Sequence, residues 1–288
     1  MLLRDYAMVM SHDAATGYLT RSHVVADWTI TQGADLIGQL DCGSRSFDYR
    51  PYYDADKDKV LAHHGGIKVD IEMGDAIDDV LSWSTKNPDE LVMFYINSCD
   101  GDEGCMAATK AVVDSKNIYS ISDCSSLGTL TVDDIMQNSQ VSDPANGGHV
   151  FALYDCVAGE YDSTINCYSK DFTCYDARPK DTSQVPWEHM ISYAVNTTAV
   201  DKNHGESYTP WMLQAHWQST AASITSGTLH RSSLLIDEEK SEMNKWAAES
   251  IAANKFPTLS IVEVDNVCNH GNDIYNAIKE WNANMAKN

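Results

Sequence analysis

Leu91-Val92-Met93-Phe94-Tyr95-Ile96 is an apolar run without a single alternation. A strand with one wet face alternates apolar and polar residues, so a run of this kind is covered on both faces, the condition of strands in a parallel sheet enclosed by other layers. Parallel neighbours cannot be joined by tight hairpins and need crossovers, usually helical. The chain supplies them. Strand-like runs fall at 5–10, 44–50, 58–63, 91–96, 149–154 and 259–264, with weaker ones at 190–195 and 211–216. Helical spacing falls at 74–86, where Asn87-Pro88 stops it, and at 104–116, 131–138, 238–254 and 271–285. Over 22–40 the apolar positions suit a helix that Gly33 and Gly38 weaken, and 157–186 has so little periodicity that it reads as a long loop. Within 288 residues, 43% of them hydrophobic, no repeat, linker or composition break appears. Residues 1–288 are therefore read as one α/β domain, a distorted TIM-type (β/α) barrel.

The tips of these runs carry chemistry. Tyr6-Ala7-Met8-Val9-Met10 ends in Ser11-His12-Asp13, Ser44-Arg45-Ser46-Phe47 in Asp48-Tyr49-Arg50, and Val60-Leu61-Ala62 in His63-His64-Gly65-Gly66. The last apolar run ends in Asp265. In a barrel the last strand closes against the first, which brings Asp265 to His12 and sets Asp48, Arg50 and His64 on the next two strands round, all at the C-terminal face. Two imidazoles divide base and acid roles near neutral pH, and a guanidinium fork suits a pair of phosphate oxygens. Plainer roles exist for the same residues: Arg50 as a buried ion pair with Asp48 or Asp13, Asp265 as a turn cap. Strand alternation points His63 away from His64, to a structural role. His149 and His216 lie in strand-like runs without supporting context and are expected as core or rim residues; Trp211 and Trp217 are expected to pack.

The net charge of -22 is spread along the chain, without a basic patch. That excludes nucleic acid as a partner and disfavours adsorption to a strongly anionic bilayer. No apolar run approaches a membrane span, and no apolar leader follows Met1, so a secreted chain is expected to carry no signal segment here. The eight cysteines have no Cys-x-x-Cys spacing, which argues against a zinc ribbon. Their even number suits disulfides in an oxidising compartment, eight reduced thiols being the alternative. Cys99 to Cys105 frames a small loop able to close on itself, Cys156, Cys167 and Cys174 punctuate the long loop, and Asn196-Thr197-Thr198 is a glycosylation acceptor. Secretion is the expected localisation.

At these residues the sequence resembles the phosphatidylinositol-specific phospholipase C X-domain family. Met10-Ser11-His12-Asp13-Ala14, the stretch Gln39-Leu40-Asp41-Cys42-Gly43-Ser44-Arg45-Ser46-Phe47-Asp48-Tyr49-Arg50, Leu61-Ala62-His63-His64-Gly65 and Asn87-Pro88-Asp89-Glu90 are similar to its motifs in order. The likeness is good over 6–96 and thins afterwards to the strand ending at Asp265. It implies a distorted barrel that cleaves a phosphodiester through a cyclic intermediate, a phosphorus–oxygen lyase. His12 would be the base, oriented by Asp265, and His64 the acid, with Asp13 near it. Arg50 would stabilise the phosphate, and Asp48 would position its neighbours. The calcium-dependent branch has an acidic residue where this chain has Arg50, so the resemblance implies a metal-independent site with no cofactor and no Ca²⁺. The bacterial members hold the inositol ring with a Lys and an Arg, at places that look like Asn97 and the neighbourhood of Tyr154-Asp155 here. That departure widens the expected substrate from a phosphoinositide to another phosphodiester, such as a glycan-linked phosphate, and allows transient contact with a membrane.

Two rival readings share this pattern. A metal-dependent glycerophosphodiester or sphingomyelin-type phosphodiesterase shares the two-histidine plan, but needs a carboxylate cluster where Asp48 is followed by Arg50. A binding protein on the same barrel is favoured by Asn97 and Asp155.

Overall fold

The computed structural model of the chain describes residues 1–20, 24–139, 148–157, 210–216, 221–229 and 231–287. The expected strand at 190–195, nearly all of the loop at 157–186, Cys167, Cys174, Asn196, Trp217 and four of the remaining histidines lie outside these residues. The strands are β1 (Met8–Ser11), β2 (Ser46–Tyr49), β3 (Pro51–Asp54), β4 (Lys59–His64), β5 (Ile67–Val69), β6 (Leu91–Ile96), β7 (Asp100–Gly101), β8 (Tyr119–Ile121), β9 (His149–Tyr154), β10 (Met212–Gln214) and β11 (Ile261–Val264).

Seven of them make one sheet in the order β10-β11-β1-β2-β6-β9-β8, and every pairing in it is parallel. The last strand, β11, lies directly against the first, with Ser11 opposite Val264. The expected α/β architecture with a parallel sheet is present; among the described residues β10 and β8 are the edges, so the sheet is open there.

Alternation along each strand divides its residues between two cores. Val9, Phe47, Val92, Phe94, Val150, Val262 and Val264 pack outward under the helices. Met8, Met10, Met93, Tyr95, Phe151, Leu153 and Ile261 pack together on the opposite face. Because the side-chain period is two, that face continues upward as columns: Met8-Met10-His12, Ser46-Asp48-Arg50, Met93-Tyr95-Asn97, Met212-Gln214-His216 and Ile261-Glu263-Asp265. Most of these columns begin apolar, and all end polar at the C-terminal end of the sheet. The low half is held by apolar burial and the upper half is left for chemistry.

Three expectations need correction. His64 is not on a strand of the main sheet. Pro51 opens β3 directly after β2, where its missing N–H does no harm, and β5-β4-β3-β7 form a separate four-stranded sheet. β3 and β4 are an antiparallel hairpin, β4 and β5 a second one turning at Gly65-Gly66, with Gly65 at φ 53. The His63 amide donates to the Arg50 carbonyl at 3.0 Å, which ties this ribbon to the end of β2 and carries His64 above the sheet.

The segment 22–40 is two short helices, Val24–Asp27 and Leu36–Asp41, because Thr31 and Gln32 between them bond to the tips of β1 and β11 instead of to a helix. The helix expected over 238–254 is two, Leu234–Ser241 and Met243–Ala252. Glu242 breaks it in the left-handed region, and the buried Ser241 Oγ accepts from the Met243 amide at 3.2 Å. Pro51–Asp54, Ile67–Val69 and Tyr119–Ile121 are strands, and Ala221–Leu229 a helix, that periodicity did not reveal.

All six described cysteines are paired: Cys42–Cys268, Cys99–Cys105 and Cys124–Cys156. The second closes the small loop as expected. The first joins the chain just past Asp265 to the end of the helix Leu36–Asp41. Beside it Gly43 and Gly271 touch backbone to backbone, so closely that a Cβ on Gly43 would meet the Gly271 oxygen at 2.6 Å. Among the described residues no helix is long and apolar enough to cross a membrane.

Candidate active site

The six residues singled out from the sequence converge at the C-terminal end of the sheet. His12 Nδ1 lies 2.7 Å from Asp265 Oδ1. His12 Nε2 lies 3.1 Å from Asp13 Oδ2, and His64 Nε2 lies 3.2 Å from the same oxygen. Arg50 Nη1 holds the other oxygen of Asp13 at 2.9 Å. Arg50 Nη2 also meets Asp48 Oδ2 at 2.8 Å. One carboxylate, Asp13, is thus shared by two imidazoles and a guanidinium.

Local structure explains the placement. Asp13 is in the left-handed region at φ 43, a conformation that Asp tolerates better than most residues. Its amide donates to Asp48 Oδ2 at 3.0 Å. His12 is fixed through its backbone: its amide donates to the Val264 carbonyl at 3.1 Å, and its carbonyl accepts from Thr31 Oγ1 at 2.8 Å and Gln32 Nε2 at 3.1 Å. Gln32 also donates to the Val264 carbonyl at 2.9 Å and accepts from the Val267 amide at 3.0 Å, so one fully buried side chain clamps β1 to β11. Asn244 donates to the Asp265 carbonyl at 2.8 Å. His64 Nδ1 lies 2.8 Å from the Thr29 carbonyl, which aims Nε2 into the site. The carbonyl can only accept, so Nδ1 carries the proton there and Nε2 is the variable position.

His63, the neighbour read as structural, bonds the Gly65 and Ser98 carbonyls and stays away from the cluster. Asn97 does reach it: Nδ2 donates to Asp48 Oδ1 at 2.7 Å, a neutral donor at the place where the resemblance leads one to look for a lysine.

The electrostatics follow from burial. Desolvation alone would depress the His12 imidazole, but Asp13, Asp265 and Glu263 outweigh it and push the value up to about 10. Asp13 is raised, burial outweighing the pull of His12, His64 and Arg50. Asp48 is lowered despite equally deep burial, because Arg50, His12 and the Asp13 amide favour its ionised form. Burial likewise opposes the Arg50 charge, yet Asp48 and Asp13 raise its value overall. His12 is enclosed, with a side chain 10% exposed, whereas the His64 side chain is 27% exposed and meets solvent.

His216 was expected only as a core or rim residue. It is buried, but its ring stacks on His12 with centroids 4.1 Å apart and planes 13° apart. Its Nε2 lies 3.1 Å from Glu263 Oε2. The signal in the sequence was polar alternation on two buried runs, Gln214-x-His216 and Glu263-x-Asp265. Gln32 and Asn244 left no comparable trace, since each acts through backbone carbonyls far away in the chain.

Among the described residues two groups have donor atoms close enough to share an ion, His12 with His216 and Asp265, and His12 with Asp13 and Asp48. In both, the protein already supplies the opposing charge or proton: Arg50 sits on Asp13 and Asp48, and His12 Nδ1 is engaged by Asp265.

The class defined here is a parallel α/β sheet whose inward columns end in two imidazoles, a guanidinium and a set of buried carboxylates. No family model matches the chain, and no curated protein does. Solved structures do match. Phosphatidylinositol-specific phospholipase C from Staphylococcus aureus, in a form carrying pentafluoro-phenylalanine, superposes with a TM-score of 0.65 at 15% identity, over 96% of this chain and 93% of that one. The enzyme from Listeria monocytogenes gives 0.61 at 13% identity, over 97% and 94%. At this identity the likeness establishes the fold: the chain has the architecture of the bacterial phosphatidylinositol-specific phospholipases C.

Proposed function

We propose that this chain is a secreted, single-domain phospholipase C-like phosphodiesterase on a closed (β/α) barrel. In this reading it cleaves a phosphodiester whose alcohol carries a neighbouring hydroxyl. The observation that carries the reading is the placing of His12 and His64 on one carboxylate oxygen, with Arg50 on the other. Two proton carriers and a cation within one phosphate's reach are what an internal displacement at phosphorus needs.

The steps balance. The substrate hydroxyl gives its proton to His12 Nε2 as its oxygen bonds to phosphorus. The bond from phosphorus to the leaving alcohol breaks, and His64 Nε2 gives that oxygen a proton. The product is a cyclic phosphodiester, and diacylglycerol if the substrate is a phospholipid. Asp265 holds His12 in the tautomer that leaves Nε2 facing the hydroxyl, and it offsets the imidazolium that forms. Arg50 stabilises the non-bridging phosphate oxygens, with Asp48 fixing the guanidinium plane.

His12 must be neutral to act as base, yet its neighbours hold a proton on it. Loss of that proton is therefore what sets the acid limb of turnover, and Asp13 Oδ2, 3.1 Å from His12 Nε2 and 3.2 Å from His64 Nε2, lies beside both proton carriers. No divalent cation is required, because Arg50 already supplies positive charge on the carboxylates that would have to bind it.

Phosphatidylinositol is the first substrate to test, since the structural relatives are specific for it, and one structure of the Staphylococcus aureus enzyme concerns its membrane binding. Other candidates are glycan-linked phosphates. Turnover in excess chelator, abolished by His12→Ala, supports the reading. Turnover that needs added calcium overturns its metal-free part. Tight ligand binding with no turnover of any phosphodiester moves the site to a binding role.

A further inference from the structure

β10 and β11 run side by side with Gln214 opposite Glu263, and one step further up, past the register's end, His216 and Asp265 stand together. Glu263 and His216 are both buried to 1% exposure, just above the apolar half of the inward face. An ionised carboxyl in such a place needs partners. Glu263 has two on one oxygen: Gln214 Nε2 at 3.1 Å and His216 Nε2 at 3.1 Å. Both are nitrogens that donate, which fixes the His216 tautomer with its proton on Nε2. Its Nδ1 edge then faces Asp265 Oδ2 at 3.9 Å, while its flat face covers His12.

We propose that His216 is a positioning residue for His12: its ring, anchored on Glu263, fixes the plane of the His12 imidazole against Asp265. The inference rests on His12 being the base of the proposed reaction. A single bond from Nδ1 to Asp265 leaves the imidazole free to swing about that bond, because the terminal torsion of a histidine is broad. A ring stacked on one face removes the freedom and leaves Nε2 aimed at Asp13 and the substrate side. Glu263 keeps His216 in place by accepting from its Nε2 at 3.1 Å, which holds the ring flat against His12. The groups facing His12 are Asp13 on its own loop, Asp48 on β2, His64 on the ribbon, Glu263 on β11, Asp265 just beyond it, and His216 beyond β10. Of these, His216 alone stacks parallel to it.

The test is the histidine side-chain nitrogen–proton spectrum of the whole chain without substrate, with the His12 line assigned by its loss in His12→Gln. In the wild type the Nδ1 proton held by Asp265 is expected far downfield and slow to exchange. His216→Ala should lose that line to exchange with water, and His216→Phe, which restores a flat face, should recover it. Glu263→Gln should lower the His12 titration midpoint by about one pH unit, because it removes a buried negative charge near the ring. A His12 line and midpoint unchanged in folded His216→Ala and Glu263→Gln overturn the proposal. Should His216→Ala fail to fold, the Glu263→Gln midpoint and the His216→Phe line decide. None of these readouts needs a substrate, whereas the base role of His12 fails separately if His12→Ala keeps its turnover.

Discussion

His12 Nδ1 and Asp265 Oδ1 meet at 2.7 Å across a sequence separation of 253. The contact exists because β11 closes against β1 and places the tips of the first and last strands of the sheet side by side. The pair orients the imidazole and compensates its charge, and it makes the chemistry of residue 12 depend on a residue at the other end of the chain. Asp265→Asn keeps the shape but lets the amide donate to His12, favouring the wrong tautomer. Turnover of whichever phosphodiester proves to be the substrate should fall by roughly 10²–10⁴-fold, the range expected for a disabled general base. KM should change little, and steady-state kinetics would check both.

The pH dependence of that turnover should be displaced. A free imidazole titrates near 6.5, and His12 is held up to about 10 by Asp13, Asp265 and Glu263, against its burial. The acid limb of kcat/KM is therefore expected above the ordinary histidine value, and Asp13→Asn should move it down. An acid limb at the ordinary value in both proteins would show that the carboxylates do not hold the proton.

Stability should carry the same mark. A folded-state value raised from 6.5 to about 10 contributes stability that is complete below pH 6.5 and is lost as the pH rises toward 10. Asp48, lowered, acts at the other end: its contribution is present above the unfolded value of 3.8 and fades as the pH falls through the lower folded value. Asp13, raised, opposes it there. Urea midpoints measured between pH 6 and pH 10 should fall in the wild type and fall less in His12→Gln. Equal slopes would refute the assignment.

The Asp48 carboxylate has four donors around it, from Arg50 twice, from the Asp13 amide and from Asn97. Asp48→Ala leaves Arg50 with Asp13 alone and orphans Asn97. A cost of about 3–5 kcal/mol is expected, as for one partner taken from a buried ionic network. Arg50→Lys should preserve much of the fold and lose activity, because an ammonium cannot span two carboxylates and a phosphate at once. Equilibrium unfolding and turnover separate the two outcomes.

Cys42–Cys268 closes a separation of 226 residues and lies three positions past Asp265. Replacing both cysteines by alanine is expected to cost about 2–5 kcal/mol. It should also lower turnover more than removal of Cys99–Cys105, whose small loop spans 6 residues. Urea unfolding of the two double variants, beside their rates, checks this.

The parallel sheet was legible because unalternating runs such as Leu91–Ile96 admit few other fates. The tip residues were legible because a strand that ends in His, Asp or Arg and then turns has nowhere to hide the charge. His64 was placed on a barrel strand because Val60-Leu61-Ala62 reads as an apolar run like the others, and nothing along the chain separates a strand of the ribbon from one of the main sheet. His216 and Glu263 were missed because a histidine in an apolar run looks like core until its neighbour across the sheet is known. That neighbour is nearly fifty residues away in the chain. Gln32 and Asn244 serve by bonding backbone carbonyls, and no side-chain pattern along the chain encodes such a bond.

The most direct test of the central claim follows the phosphorus itself. Phosphatidylinositol vesicles incubated with the chain in excess chelator, and monitored by phosphorus NMR, should yield the resonance of a cyclic inositol phosphate. The resonance should be absent with His12→Ala and with His64→Ala. An open-chain phosphate as first product, or any product formed by the His12→Ala variant at the wild-type rate, would contradict the account.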